Sequence, residues 1–167
     1  LPLVSEWQNR PLESIYSFIF LDAIHYKVRD DKQIVNKAAY VAIGVNMDGE
    51  KDVLGIWIGA NETSKFWLSV LNDLKTRGIK NVLVFCTDGL HGFTDAIGAV
   101  YPLSNHQRCI IHQVRASMKY VASSDQKAFA KDLRSIYSSV NEEVALNNLI
   151  EVKEKWGKKY PSAIKSW

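Results

Sequence analysis

The chain has 167 residues, 47% hydrophobic and 23% charged, a balance that excludes a mostly disordered polymer. No apolar run approaches the roughly 18 residues that a membrane helix requires, which argues against a membrane partner. The net charge of +3 is uneven: residues 1–100 carry 10 Lys and Arg against 12 Asp and Glu, and residues 101–167 carry 11 against 6.

The first strong element is Ile15-Tyr16-Ser17-Phe18-Ile19-Phe20-Leu21, aromatic and β-branched, ending at Asp22. Apolar residues at both parities predict a strand buried on both faces. Ala38 to Met47 and Asp52 to Ile58 are two further β-type runs joined around Asp48-Gly49, a hairpin signal. Glu62 to Arg77 places Phe66, Trp67, Val70, Leu71 and Leu74 at helical spacing, with Asn61 or Thr63 as cap and Gly78 as stop. Asn81 to Thr87 is a second near-continuous apolar strand, ending at Asp88-Gly89, and Phe93 to Val100 is a short helix before Pro102. A short strand is allowed next. The remainder is helical: Cys109 to Val121, Gln126 to Tyr137 and Asn141 to Trp156, with Asp125 and Asn141 as N-caps. A helix between two buried strands implies parallel pairing, and the hairpin implies antiparallel pairing. The fold class is therefore α/β with a mixed sheet and a helical continuation.

Two aspartates share one position in this plan, since an apolar strand runs directly into Asp22 and another into Asp88. Ligands of open sheets collect beyond the carboxyl ends of parallel strands. If the two strands are neighbours, both carboxylates reach one rim, and hard ions such as Mg²⁺ prefer such oxygen donors. Either Asp taken singly is more simply a turn-former or a helix cap, and it is the pair that points to a metal site. No Gly-x-Gly-x-x-Gly follows the first strand and no phosphate-binding Gly-x-x-x-x-Gly-Lys-Ser/Thr loop exists, which disfavours nucleotide-binding α/β enzymes. Two cysteines, Cys86 and Cys109, favour a reducing compartment, with Cys86 inside the apolar run Val82 to Cys86. Trp57, Trp67 and Trp156 have the setting of packing aromatics, not base-stacking platforms. The chain begins at Leu1 without Met and lacks the layout of a signal peptide, so it is expected to be part of a longer protein.

The residues then form an ordered set: Arg10-Pro11-Leu12, Leu21-Asp22-Ala23-Ile24-His25-Tyr26-Lys27-Val28-Arg29, Ala42-Ile43-Gly44-Val45, Val53-Leu54-Gly55, Phe66-Trp67, Arg77-Gly78, Thr87-Asp88-Gly89-Leu90, Gln107-Arg108-Cys109-Ile110-Ile111-His112, Tyr160-Pro161 and Ser166-Trp167. With this set the chain resembles the mutator-type transposases of bacterial insertion sequences, nearly end to end.

The resemblance implies a ribonuclease H-like catalytic core over residues 15–108, after an N-terminal extension (1–14) and before the start of a helical insertion (109–167). It makes Asp22 and Asp88 the first two acids of a DDE triad, both catalytic and metal-binding. The third, a Glu, is expected after the insertion, so Glu142, Glu143, Glu151 and Glu154 are not assigned to it. By the same token this portion alone is expected to be inactive. Two Mg²⁺ or Mn²⁺ ions are the implied cofactor. DNA, both transposon ends and target, is the implied partner of a homo-oligomer in the bacterial cytoplasm. Cys109 and His112 match the family's Cys-x-x-His signature. That pair is half a zinc site, with His91 and His106 as the nearby extra ligands, or a packing pair near the rim. Lys27, Arg29, Arg108 and Arg115 are candidate DNA contacts, and His25 and His91 are phosphate contacts or ordinary surface histidines. The alternative is an inactive or domesticated transposase-derived module that binds DNA without cutting it.

Overall fold

The computed structural model describes residues 2–30, 33–59, 64–89 and 92–167. They fall into two compact units, Leu1–Arg108 and Cys109–Trp167.

The first unit is built on five strands, β1 (Ile15–Asp30), β2 (Gln33–Val45), β3 (Lys51–Gly59), β4 (Asn81–Thr87) and β5 (Asn105–Arg108). With them are helices α1 (Pro2–Gln8), α2 (Ser64–Thr76) and α3 (Phe93–Val100). The sheet order is β3-β2-β1-β4-β5. The β1–β2 and β2–β3 pairs are antiparallel, and the β1–β4 and β4–β5 pairs are parallel. This is the mixed sheet expected from the sequence, with antiparallel and parallel pairing meeting at β1.

The β2–β3 turn forms where Asp48-Gly49 predicts it. Gly49 takes φ +84°, and the buried Asn46 side chain accepts from the backbone amides of Asp48 (3.1 Å) and Glu50 (2.9 Å). Gly78 stops α2 at φ +120°, where any Cβ would stand 2.9 Å from the Leu12 carbonyl. The caps expected at Asn61 and Thr63 lie outside the described residues. At the β3 edge, Gln8 accepts from the Ile56 amide and Arg10 binds Asp52 and the Val53 carbonyl, so the N-terminal segment covers part of an open strand edge.

Two expectations about the first strand fail. β1 does not end at Asp22 but continues to Asp30, paired with β2 from Phe18↔Val45 to Asp30↔Gln33. Beyond Asp22 apolar Ile24, Tyr26 and Val28 alternate with polar His25, Lys27 and Arg29, the period-2 pattern of a half-exposed strand that continues β1. Nor is β1 buried on both faces. Ile19 and Leu21 are buried, whereas Phe18, Phe20 and Ile24 are 42%, 41% and 60% exposed. The covered face packs on α2 and α3 through Tyr40, Trp67, Phe85, Phe93 and Ile97. Trp67 is fully buried, edge-on to Tyr40 with ring centroids 5.4 Å apart and 4.8 Å from Phe93.

The second unit contains α4 (Ile110–Met118), α5 (Ser123–Tyr137), α6 (Glu142–Trp156) and α7 (Pro161–Ile164). Its core joins Phe129, Leu133, Val152, Trp156, Ala163 and Ile164. Trp156 meets Phe129 edge-on, and its indole N–H donates to Asp132 at 2.7 Å. Asn141 caps α6, its side chain accepting from the Val144 amide at 2.9 Å. Asp125 does not cap α5: Ala122 holds that position and Asp125 lies in the first turn, where it accepts from Lys159 and Tyr160. No helix among the described residues is long and apolar enough to cross a membrane.

Candidate active site

The parallel ladder between β1 and β4 pairs Phe20 with Cys86 and Leu21 with Thr87. One step further along both strands stand Asp22 and Asp88, neighbours across strands spaced roughly 5 Å apart. Their separation along the chain equals the pairing offset between the strands, so each follows directly on one member of the last pair, Leu21 with Thr87. The backbone contexts differ. Asp22 is mid-strand and exposed, its Oδ1 accepting from the Ala23 amide at 2.8 Å. Asp88 is half-buried and follows directly on the last residue of β4.

Asp22 lies on the uncovered face of the sheet, in a shallow depression lined by Phe20, Ile24, Val41, Ile43 and Lys51. Lys51 begins β3 and pairs with Val45. No sequence motif marks it, because only sheet register brings it to the same depression as Asp22.

The other candidates scatter. Arg108 is exposed on β5 and pairs with Thr87, adjacent to the Asp88 position. Lys27 and Arg29 lie further along the hairpin arm, roughly 16 and 23 Å beyond Asp22 at about 3.3 Å per residue. They are thus not at the rim. His25 is exposed on the same arm, and His91 lies outside the described residues. Cys109, Cys86 and His112 are half-buried, Cys109 preceding α4 and His112 within its first turn; Arg115 is exposed on α4. Glu142, Glu143, Glu151 and Glu154 are exposed on α6 of the second unit.

His106 has an unforeseen role. Its Nε2 is 2.7 Å from the hydroxyl of the fully buried Thr87, and its Nδ1 is 3.0 Å from that of Thr94. Both ring nitrogens are thereby engaged in hydrogen bonds. Burial, with the Arg108 charge as a smaller cause, pushes its pKa below the ordinary histidine value. Among the described residues, no three His, Cys, Asp or Glu side chains converge as a metal site. The donor set of two carboxylates suits a hard divalent ion and leaves coordination positions for further ligands.

Comparison with known proteins gives a consistent picture. The sequence profile described as "Transposase, Mutator family" matches residues 1–167. A probable transposase for an ISRM3-like insertion sequence element of Sinorhizobium fredii is 47% identical over 168 residues, covering all of this chain and 42% of that protein. The transposase for insertion sequence element ISRM3 of Rhizobium meliloti is 46% identical, again over 100% of this chain and 42% of its own length. The chain thus spans less than half the length of these relatives. Similar solved structures include the Drosophila P element transposase strand transfer complex, with 12% identity, TM-score 0.42, and coverage of 98% of this chain and 45% of that one. Another is the HTLV-2 integrase catalytic core domain in complex with magnesium, with 16% identity, TM-score 0.40, and coverage of 89% and 88%.

Proposed function

Because this chain belongs to the Mutator family of transposases, we propose that it carries two of the three metal-binding acids, Asp22 and Asp88, of a DNA-cutting and DNA-joining centre. The observation that supports this reading is the β1–β4 register, whose last parallel pair, Leu21 with Thr87, immediately precedes both acids. The third acid, a Glu, is assigned to the part of the full-length protein outside these residues.

Asp22, in the middle of β1, and Asp88, just past the end of β4, supply negatively charged oxygen donors of the kind that hard cations such as Mg²⁺ or Mn²⁺ prefer. Divalent ions bound there would activate water or a DNA 3′-hydroxyl and neutralise charge on the reacting phosphodiester. The protein's own contribution is positioning: a rigid sheet carries the first carboxylate, and the end of β4 carries the second. Arg108, beside Asp88 on β5, offers a cation to the DNA backbone. Lys27 and Arg29 contact DNA further from the centre, because they ride on the hairpin arm. In this reading the full-length protein acts on transposon ends and target DNA, as a homo-oligomer, in the bacterial cytoplasm.

The test is strand transfer by the full-length protein carrying Asp22→Asn or Asp88→Asn. Each substitution is expected to lower the rate at least about a thousandfold, as losing several kcal/mol of charge stabilisation implies. Thermal unfolding should be little changed, since Asp22 is exposed and Asp88 half-buried. Near-normal transfer by either variant would overturn the reading.

A further inference from the structure

We propose that His106 is a positioning residue for Asp88, fixing the end of β4 through the hydroxyl of Thr87. This rests on the reading of Asp88 as a metal-binding carboxylate.

The argument begins with protons. The Thr87 hydroxyl has one, which it donates to the Asp88 carbonyl at 2.8 Å. Toward His106 Nε2, 2.7 Å away, Thr87 is therefore the acceptor, so Nε2 carries the ring N–H. In the neutral ring Nδ1 is then an acceptor, and the Thr94 hydroxyl donates to it at 3.0 Å. Each group has one defined role in a chain running from Thr94 to His106, to Thr87, to the Asp88 carbonyl. Bonds aligned in this way strengthen one another. The lowered pKa of His106 keeps the ring in the neutral form that the chain requires.

The geometry explains why such a brace belongs here. Asp22 is held mid-strand between two ladders, with partners Val41 on β2 and, one residue earlier, Leu21↔Thr87 on β4. The described ladders of β4 stop at Thr87, so Asp88 lies just past the last residue they pair. His106 on β5 and Thr94 in the first turn of α3 reach this point from two other elements and tie both to Thr87. Thr87 is fully buried, and a buried hydroxyl left without partners would cost about 1–3 kcal/mol, which keeps the chain closed. A metal-binding carboxylate held this way has less freedom to stray from the position its partner carboxylate requires.

The experiment measures Mn²⁺ binding to the full-length protein, without DNA, by the electron paramagnetic resonance signal of free Mn²⁺. His106→Leu removes both ring hydrogen bonds at similar volume. His106→Gln retains a side-chain donor and an acceptor. Thr94→Val, at an exposed position, removes only the outer donor and is the variant least apt to disturb folding. Loss of an orienting partner behind a metal ligand typically weakens affinity about 10–100-fold. His106→Leu is expected at the lower end of that range, Thr94→Val a few-fold, and His106→Gln within a few-fold of the natural protein. Unchanged Mn²⁺ affinity in both His106→Leu and Thr94→Val overturns the proposal. So does a loss that His106→Gln fails to rescue and that tracks a fall in unfolding temperature, since that pattern marks a purely structural role. Asp88→Asn separates the two levels. If it leaves Mn²⁺ binding intact, the metal reading of Asp88 fails and takes this proposal with it. If it abolishes binding while His106→Leu does not, only the positioning role fails.

Discussion

The two faces of the sheet are made from alternate residues of the same strand and behave as different materials. On β1, Ile19 and Leu21 are 0% and 2% exposed, while their neighbours Phe18 and Phe20 are 42% and 41% exposed. The side chains are equally apolar, and the difference lies in what is opposite them. α2 and α3 lay Trp67, Leu71, Leu74, Phe93 and Ile97 on one face, and the other carries Asp22 in an open depression. Hydrophobicity measures what a residue would gain from burial, not whether anything buries it.

The largest test of this contrast is Trp67→Ala, which empties the centre of the covered face. It should cost about 3–5 kcal/mol in denaturant unfolding, the range for deleting a fully buried large aromatic. A loss near 1 kcal/mol would mean that the covered face is loosely packed and the contrast overstated. On the open face, Phe20→Ala should cost about 1 kcal/mol or less, because much of the ring is already in water. A cost equal to that of Trp67→Ala would show that the open face is covered in solution. The smallest effect expected is in pH dependence on the covered side. The pKa of His106 in the folded protein lies below the ordinary 6.5, so its neutral form contributes stability that is fully present above 6.5. That contribution declines as pH falls below 6.5 and the unfolded chain takes up the proton first. The unfolding midpoint should therefore drop on acidification, less steeply in His106→Gln. Identical slopes for the two proteins would remove His106 from the account.

Much of the core unit was readable from local pattern. The stripe Trp67, Val70, Leu71 and Leu74 became the buried side of α2, with all four no more than 1% exposed. Asp48-Gly49 and Gly78 marked a turn and a helix end because both glycines adopt positive φ there. Asn141 capped α6 because a short side-chain oxygen can reach the amide three residues on. Asp125 misled for the same reason: it is a good capping residue, but α5 begins earlier at Ser123. The two candidate carboxylates were visible because each follows an apolar strand directly. Lys51 and the Thr87–His106–Thr94 chain were not, since no spacing rule connects residues that meet only through strand register.

The sequence by itself determined the order of the principal elements, the hairpin and helix stops, and the pairing of an apolar strand with an aspartate in two places. Those signals are local: period, turn chemistry and the residue that ends a run. Tertiary structure alone decided that one sheet face is covered while the other is open. It also decided that Leu21 pairs with Thr87, directly before the two aspartates, and that His106 reaches Thr87. Each of these depends on which strands become neighbours and in what register, a choice made by the summed packing and hydrogen bonding of the whole sheet and not by any segment of it.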